Sequence, residues 1–69
     1  MIKGVELKNR VRELRLSKNL SQEELAHQTG TTRQTIYSIE KGVFCPTVKL
    51  AMLLCMVLDV TFEEMFYFE

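Results

Sequence analysis

Apolar side chains recur at helical spacing in short stretches divided by polar and glycine positions, and the pattern predicts five helices. Leu7, Val11 and Leu14 fall on one side of a segment whose Lys8, Arg12 and Glu13 point outward, so a first helix is expected from Leu7 to about Leu16 or Ser17, ended by Asn19. Ser21 and Glu24 stand at capping-box spacing, with Leu20 and Leu25 placed as a hydrophobic staple, and a second helix starts there. Only Leu25 and Ala26 face inward on it. Gly30, which tolerates positive φ, separates it from a third helix that Thr32 caps, that turns Ile36 and Ile39 inward and that stops at Gly42. Residues 21–41 thus read as two short helices folded across a tight bend.

Cys45-Pro46 reads as extended, because a residue before proline avoids the α region, and Thr47 caps a fourth helix over Val48 to Leu58. After a break at Asp59 and Val60, Thr61 and Glu64 repeat the capping box for a fifth helix through about Phe66. Ile2 and the Phe66-Tyr67-Phe68 run have β-type composition, so a small two-stranded patch joining Met1 to Lys3 with Tyr67 to Glu69 is the alternative to a helix-only chain. The helix-only reading is favoured. The expected fold class is all-α, one domain over residues 1–69 with the helix-turn-helix at 21–41.

Winding the third helix at 100° per residue gathers Gln34, Tyr37, Ser38 and Lys41 opposite Ile36 and Ile39, with Arg33 on the flank. These residue types suit a DNA groove. A Gln amide matches adenine N6 and N7, an Arg fork matches guanine O6 and N7, and a Ser hydroxyl serves either. Thr35, Tyr37 and Lys41 carry groups suited to phosphate oxygens, and Gln22 stands at the start of the second helix, whose free N–H groups favour anions. Periodicity alone does not separate such a face from a merely solvated one. Arg15 and Glu40 have the same double reading, as solvated charges or as a pair tying the first helix to the third.

The fourth helix is apolar all round. Ala51, Leu54, Cys55 and Leu58 cover the side that packs inward, leaving Met52, Leu53, Met56 and Val57 on the rest of the circumference. A homodimer, with Phe66 or Phe68 joining the contact, is the expected cover. The alternative is a lopsided monomer surface.

Net charge is zero, yet residues 1–41 hold eight basic against five acidic residues and residues 42–69 one against four, so the halves carry +3 and −3. That asymmetry suggests a basic face for phosphates. Two cysteines, Cys45 and Cys55, without a secretory signal suggest free thiols in a reducing cytoplasm. His27 is the single histidine, so no metal site is expected. The longest apolar run, Leu50 to Leu58, is nine residues, against the roughly 20 that cross a bilayer. No membrane association, cofactor or small-molecule ligand is expected. Neither is catalysis, since there is no nucleophile triad, no carboxylate cluster beside a histidine and no Gly-rich phosphate loop.

The run Leu20-Ser21-Gln22-Glu23-Glu24-Leu25-Ala26, Gly30, Thr32-Arg33-Gln34-Thr35-Ile36 and Ile39-Glu40-Lys41-Gly42, with Leu14-Arg15, Pro46-Thr47, Leu50-Ala51 and Leu58, resembles the lambda-repressor-like, Cro-type helix-turn-helix (XRE) regulators. The likeness covers about residues 7–66. It implies a five-helix bundle that binds double-stranded DNA and regulates transcription, most often as a repressor. It places Arg33, Gln34 and Ser38 at base edges, Gln22, Thr35, Tyr37 and Lys41 at the backbone, and Arg15 with Glu40 as a structural ion pair. The chain is scarcely longer than such a domain, which is the pattern of the compact stand-alone members. It departs from the family at Leu16, usually polar, at Cys55, usually a small Ala, and in its aromatic tail. An alternative reading is a protein-interaction module working through Met52, Leu53 and Met56, such as the antitoxin half of a toxin–antitoxin pair. A thiol sensor using Cys45 or Cys55 is a third.

Overall fold

The computed structural model describes residues 4–69. The chain runs β1 (Leu7–Asn9), α1 (Val11–Ser17), α2 (Gln22–Thr29), α3 (Arg33–Glu40), α4 (Val48–Leu58), α5 (Phe62–Met65) and β2 (Phe66–Phe68). The helix starts follow the predicted caps: Ser21, Thr32, Thr47 and Thr61 each accept the backbone N–H three residues on. Two of the caps are reciprocal, with the Ser21 and Thr61 N–H groups each donating to the carboxylate of Glu24 and Glu64 at 2.8 Å. At the bend Gly30 adopts φ 74°, a left-handed conformation that a side chain would strain.

The ends of the chain differ from the sequence reading. Residues Leu7–Asn9, expected at the start of the first helix, form a strand that pairs antiparallel with Phe66–Phe68, with Leu7 opposite Phe68, Lys8 opposite Tyr67 and Asn9 opposite Phe66. The favoured helix-only reading is therefore corrected, and the alternative of a small β patch holds. Its strands are Leu7–Asn9 and Phe66–Phe68; the Met1 to Lys3 piece expected to pair lies outside the described residues. The cause is local and tertiary together. Asn9 Oδ1 accepts the Val11 N–H at 3.1 Å and Nδ2 donates to the Ile39 carbonyl at 2.9 Å, so its side chain closes a local turn just ahead of α1 and ties β1 to the end of α3. The Arg10 N–H then donates to the Met65 carbonyl at 2.8 Å, and the Arg10 guanidinium lies 4.0 Å from the centre of the Tyr67 ring.

The core is built from Val11, Leu25, Ile36, Ile39, Leu54, Leu58 and Met65, all fully buried, with Ala26, Ala51 and Phe66 beside them. Each large aliphatic side chain buried this way contributes about 1.5–3 kcal/mol. Phe66 is 5% exposed, which corrects its expected place on a dimer surface: the end of α5 turns it inward and β2 holds it there. The second aromatic, Phe68, stays 65% exposed.

Arg15 and Glu40 form the ion pair. Arg15 Nε donates to Glu40 Oε2 at 2.7 Å and Nη2 to Oε1 at 3.2 Å, while Nη1 donates to the Leu20 carbonyl at 2.8 Å. The two side chains are 9% and 3% exposed, so the pair lies inside the fold and joins α1 and the α1–α2 turn to the end of α3. No buried side-chain polar atom among the described residues lacks a partner.

Two outcomes follow for stability. Arg15→Met alone strands the Glu40 carboxylate and should cost about 3–5 kcal/mol in urea unfolding, whereas Arg15→Met with Glu40→Leu should recover most of that loss. An equal loss in both variants would refute the buried pair. The Glu24 and Glu64 carboxyls are held below the ordinary carboxylate range, chiefly by the backbone N–H groups of Ser21 and Thr61 and next by the hydroxyls of the same residues. A depressed folded-state pKa stabilises above the unfolded value and loses that contribution as pH falls through the folded one. The melting temperature should accordingly drop on acidification through and below the ordinary carboxylate range. Glu24→Gln with Glu64→Gln keeps the acceptors but cannot titrate, and its acid limb should be flatter.

Candidate nucleic-acid interface

Helix α3 presents two faces because its sequence does. Ile36 and Ile39 are fully buried, while Arg33, Gln34, Tyr37 and Lys41 are exposed and Thr35 and Ser38 half-buried. Gln34 and Ser38 sit one turn apart, with Gln34 Nε2 donating to Ser38 Oγ at 3.4 Å. So long a contact is readily exchanged for a base edge. Arg33, Gln34 and Tyr37 line one open cleft. Tyr37 is 44% exposed, and the Lys41 ammonium lies over its ring, 5.8 Å from the centre. The three residues that sequence reasoning placed at base edges and three of its four backbone candidates are therefore on one accessible surface.

Two backbone candidates are more constrained than expected. Thr35 is part of the α3 cap, with its N–H donating to Thr32 Oγ1 at 3.2 Å and the two hydroxyls 3.0 Å apart. Gln22 is half-buried, and its Nε2 donates to Glu40 Oε1 at 3.1 Å. One carboxylate thus holds both Arg15 and Gln22, which fixes the start of α2 against the end of α3. The remaining Gln22 amide hydrogen and carbonyl are free of that bond. The start of α2 also carries Glu23 and Glu24, which offset its positive end, whereas the first turn of α3 has no acidic residue and opens with Arg33. The start of α3 is therefore the stronger anion-attracting end.

Three residues near this surface went unremarked in the sequence. Asn9 ties the strand β1 to the end of α3 through the Ile39 carbonyl. Val43 and Phe44 follow Gly42 and are 78% and 46% exposed on the loop beyond α3. No spacing rule links Gln22 to Glu40 or Asn9 to Ile39; the one visible sign was an apolar pair directly after a helix-ending glycine.

Away from α3, Met52 and Met56 of α4 are 60% and 73% exposed, and Leu53 and Val57 are half-buried. The Cys45 and Cys55 thiols are free. Burial, and then the Glu63 carboxylate, push the Cys55 thiol upward, away from the reactive thiolate. No helix among the described residues is long and apolar enough to cross a membrane.

Known proteins resemble the chain in sequence and in fold. The helix-turn-helix family model (HTH_3) matches residues 11–65. An uncharacterized HTH-type transcriptional regulator of Bacillus subtilis, YgzD, is 41% identical over 63 residues, covering 91% of this chain and 96% of that protein. Another, from Methanocaldococcus jannaschii, shows the same identity and coverage. Among solved structures, the restriction-modification controller protein C.AhdI from Aeromonas hydrophila superposes with a TM-score of 0.73 at 35% identity over 78% of each chain. The transcriptional regulator VanUg, at 14% identity, shares the fold, with a TM-score of 0.79 over 99% of this chain and 91% of that one. The chain belongs to the helix-turn-helix family of DNA-binding transcriptional regulators, the lambda-repressor-like or XRE type.

Proposed function

We propose that the chain is a single-domain, sequence-specific regulator that acts in the cytoplasm as a homodimer, occupying a palindromic operator and repressing transcription. The observation that carries this reading is the exposed polar face of α3, held on a scaffold whose tie is a buried, fully hydrogen-bonded ion pair. Arg33, Gln34 and Ser38 read base edges, and Gln22, Thr35, Tyr37 and Lys41 contact phosphates. The Gln34 amide, one turn from Ser38, matches adenine N6 and N7. The phosphate groups set register without choosing sequence.

The dimer rests on α4. Met52 and Met56, flanked by Leu53 and Val57, form an uncovered apolar face, and exposed Phe68 adds an aromatic to the unburied surface. A second copy related by a two-fold axis buries the same patch twice and sets two copies of α3 about one DNA turn apart, ~34–36 Å.

Titration of duplexes from the chain's own upstream DNA tests the first part. Gln34→Ala should weaken the preferred duplex by about 1–3 kcal/mol and blur base choice, while Lys41→Ala should weaken every duplex alike and lower the salt slope by about 1. Equal affinity of the wild-type protein for all duplexes would retire sequence-specific binding. For the assembly, sedimentation should report twice the chain mass, and Met56→Lys should halve it by placing a charge in the contact. A species that stays at one chain mass at high protein concentration would refute the homodimer, and partner capture by the same face would then favour the interaction-module reading.

A further inference from the structure

After α3 the backbone turns at Gly42 (φ 80°) and delivers two apolar side chains to solvent, Val43 and Phe44. The Val43 N–H donates to the Ser38 carbonyl at 3.1 Å, which fixes Val43 against the last turn of the helix. With Thr32, Gln34, Thr35 and Ser38, the two residues border an open cleft of about 290 Å³. One wall of the cleft is the polar side of α3 and the other is apolar.

Neither Val43 nor Phe44 belongs to the core. An apolar wall beside hydrogen-bonding groups matches a surface that is itself mixed. In the major groove the base edges offer hydrogen-bond donors and acceptors, and the apolar exception is the C5-methyl group of thymine. We propose that this cleft is a binding site for the C5-methyl edge of a pyrimidine, with Val43 and Phe44 as its apolar wall and Gln34 on the polar edge of a neighbouring base. The proposal rests on the reading that α3 enters the major groove, and adds to it a loop residue that chooses sequence. Val43 is then a specificity-determining residue outside the recognition helix. Its 78% exposure leaves nearly all of its side chain available to be covered by a base.

Duplexes selected from a random library by the full chain supply the probe, and each thymine in turn is replaced by deoxyuridine, which deletes the methyl group alone. At one selected position the wild-type Kd should rise about fourfold, the effect of removing one buried methyl-sized group. Val43→Ala should bind the thymine and uracil versions of that duplex alike, with an unchanged circular dichroism melt. Indifference of the wild-type protein to every replacement overturns the proposal while leaving base-specific binding intact, so the two failures are distinct. Retention of the full uracil penalty by Val43→Ala overturns it too, as does a selected consensus with no preferred thymine. Failure to select any duplex removes the groove-binding reading, and this proposal with it.

Discussion

The orientation of α3 against α1 and α2 traces to one buried carboxylate, that of Glu40. Its two oxygens take the fork of Arg15 from α1 and the amide of Gln22 from α2, while its own backbone closes α3. Three helices therefore meet at one group. Helices α2 and α3 turn few apolar residues inward, Leu25 and Ala26 from one and Ile36 and Ile39 from the other, and so few contacts define helix rotation weakly. Directional bonds to a planar guanidinium define it sharply. A buried ion pair adds little net stability compared with an apolar substitute, but it admits one arrangement. Under the proposed function α3 meets base edges within hydrogen-bond distance, and arrangement is then the quantity that matters.

The small core explains the rest of the architecture. A chain of 69 residues buries a modest share of its surface, and the closing β1–β2 pair adds order where the helices end. The pairing does more than join two ends. It orients Phe66 into the core, lays Arg10 across Tyr67 and leaves Asn9 to reach the Ile39 carbonyl, so the paired strands are tied to the end of α3 through Asn9. The two ends of the molecule's chemistry are thereby separated along the chain. Hydrogen-bonding and cationic groups gather on α3, while exposed apolar side chains follow it, at Val43 and Phe44 of the next loop, at Val48, Met52 and Met56 of α4, and at Phe62 and Phe68. The charge division at Gly42, +3 before and −3 after, follows the same split.

How much of this was legible beforehand depended on the range of the interaction concerned. Capping boxes at Ser21 and Thr61, the caps at Thr32 and Thr47, the bend at Gly30 and the limits of α4 are set by side chains within four residues of the backbone groups they serve, and all were readable from spacing. The inward Ile36 and Ile39 and the outward Gln34 and Tyr37 follow from helical period alone. The start of α1 was misread because Leu7, Val11 and Leu14 fit a helix equally well, and the choice between helix and strand there lay with Phe66–Phe68, some sixty residues away.

What the amino-acid order determined, then, is where helices α2 to α5 begin and end and which side of each helix is polar, since those depend on local hydrogen bonds and on 3.6-residue periodicity. The tertiary structure alone decided that Leu7–Asn9 is a strand, that Phe66 turns inward, that Gln22 shares the carboxylate of Glu40 and that Val43 and Phe44 stand beside Gln34. Each of these joins residues from different elements. No local rule encodes them, because they arise when separate helices compete for the same buried surface and the same few unsatisfied polar groups.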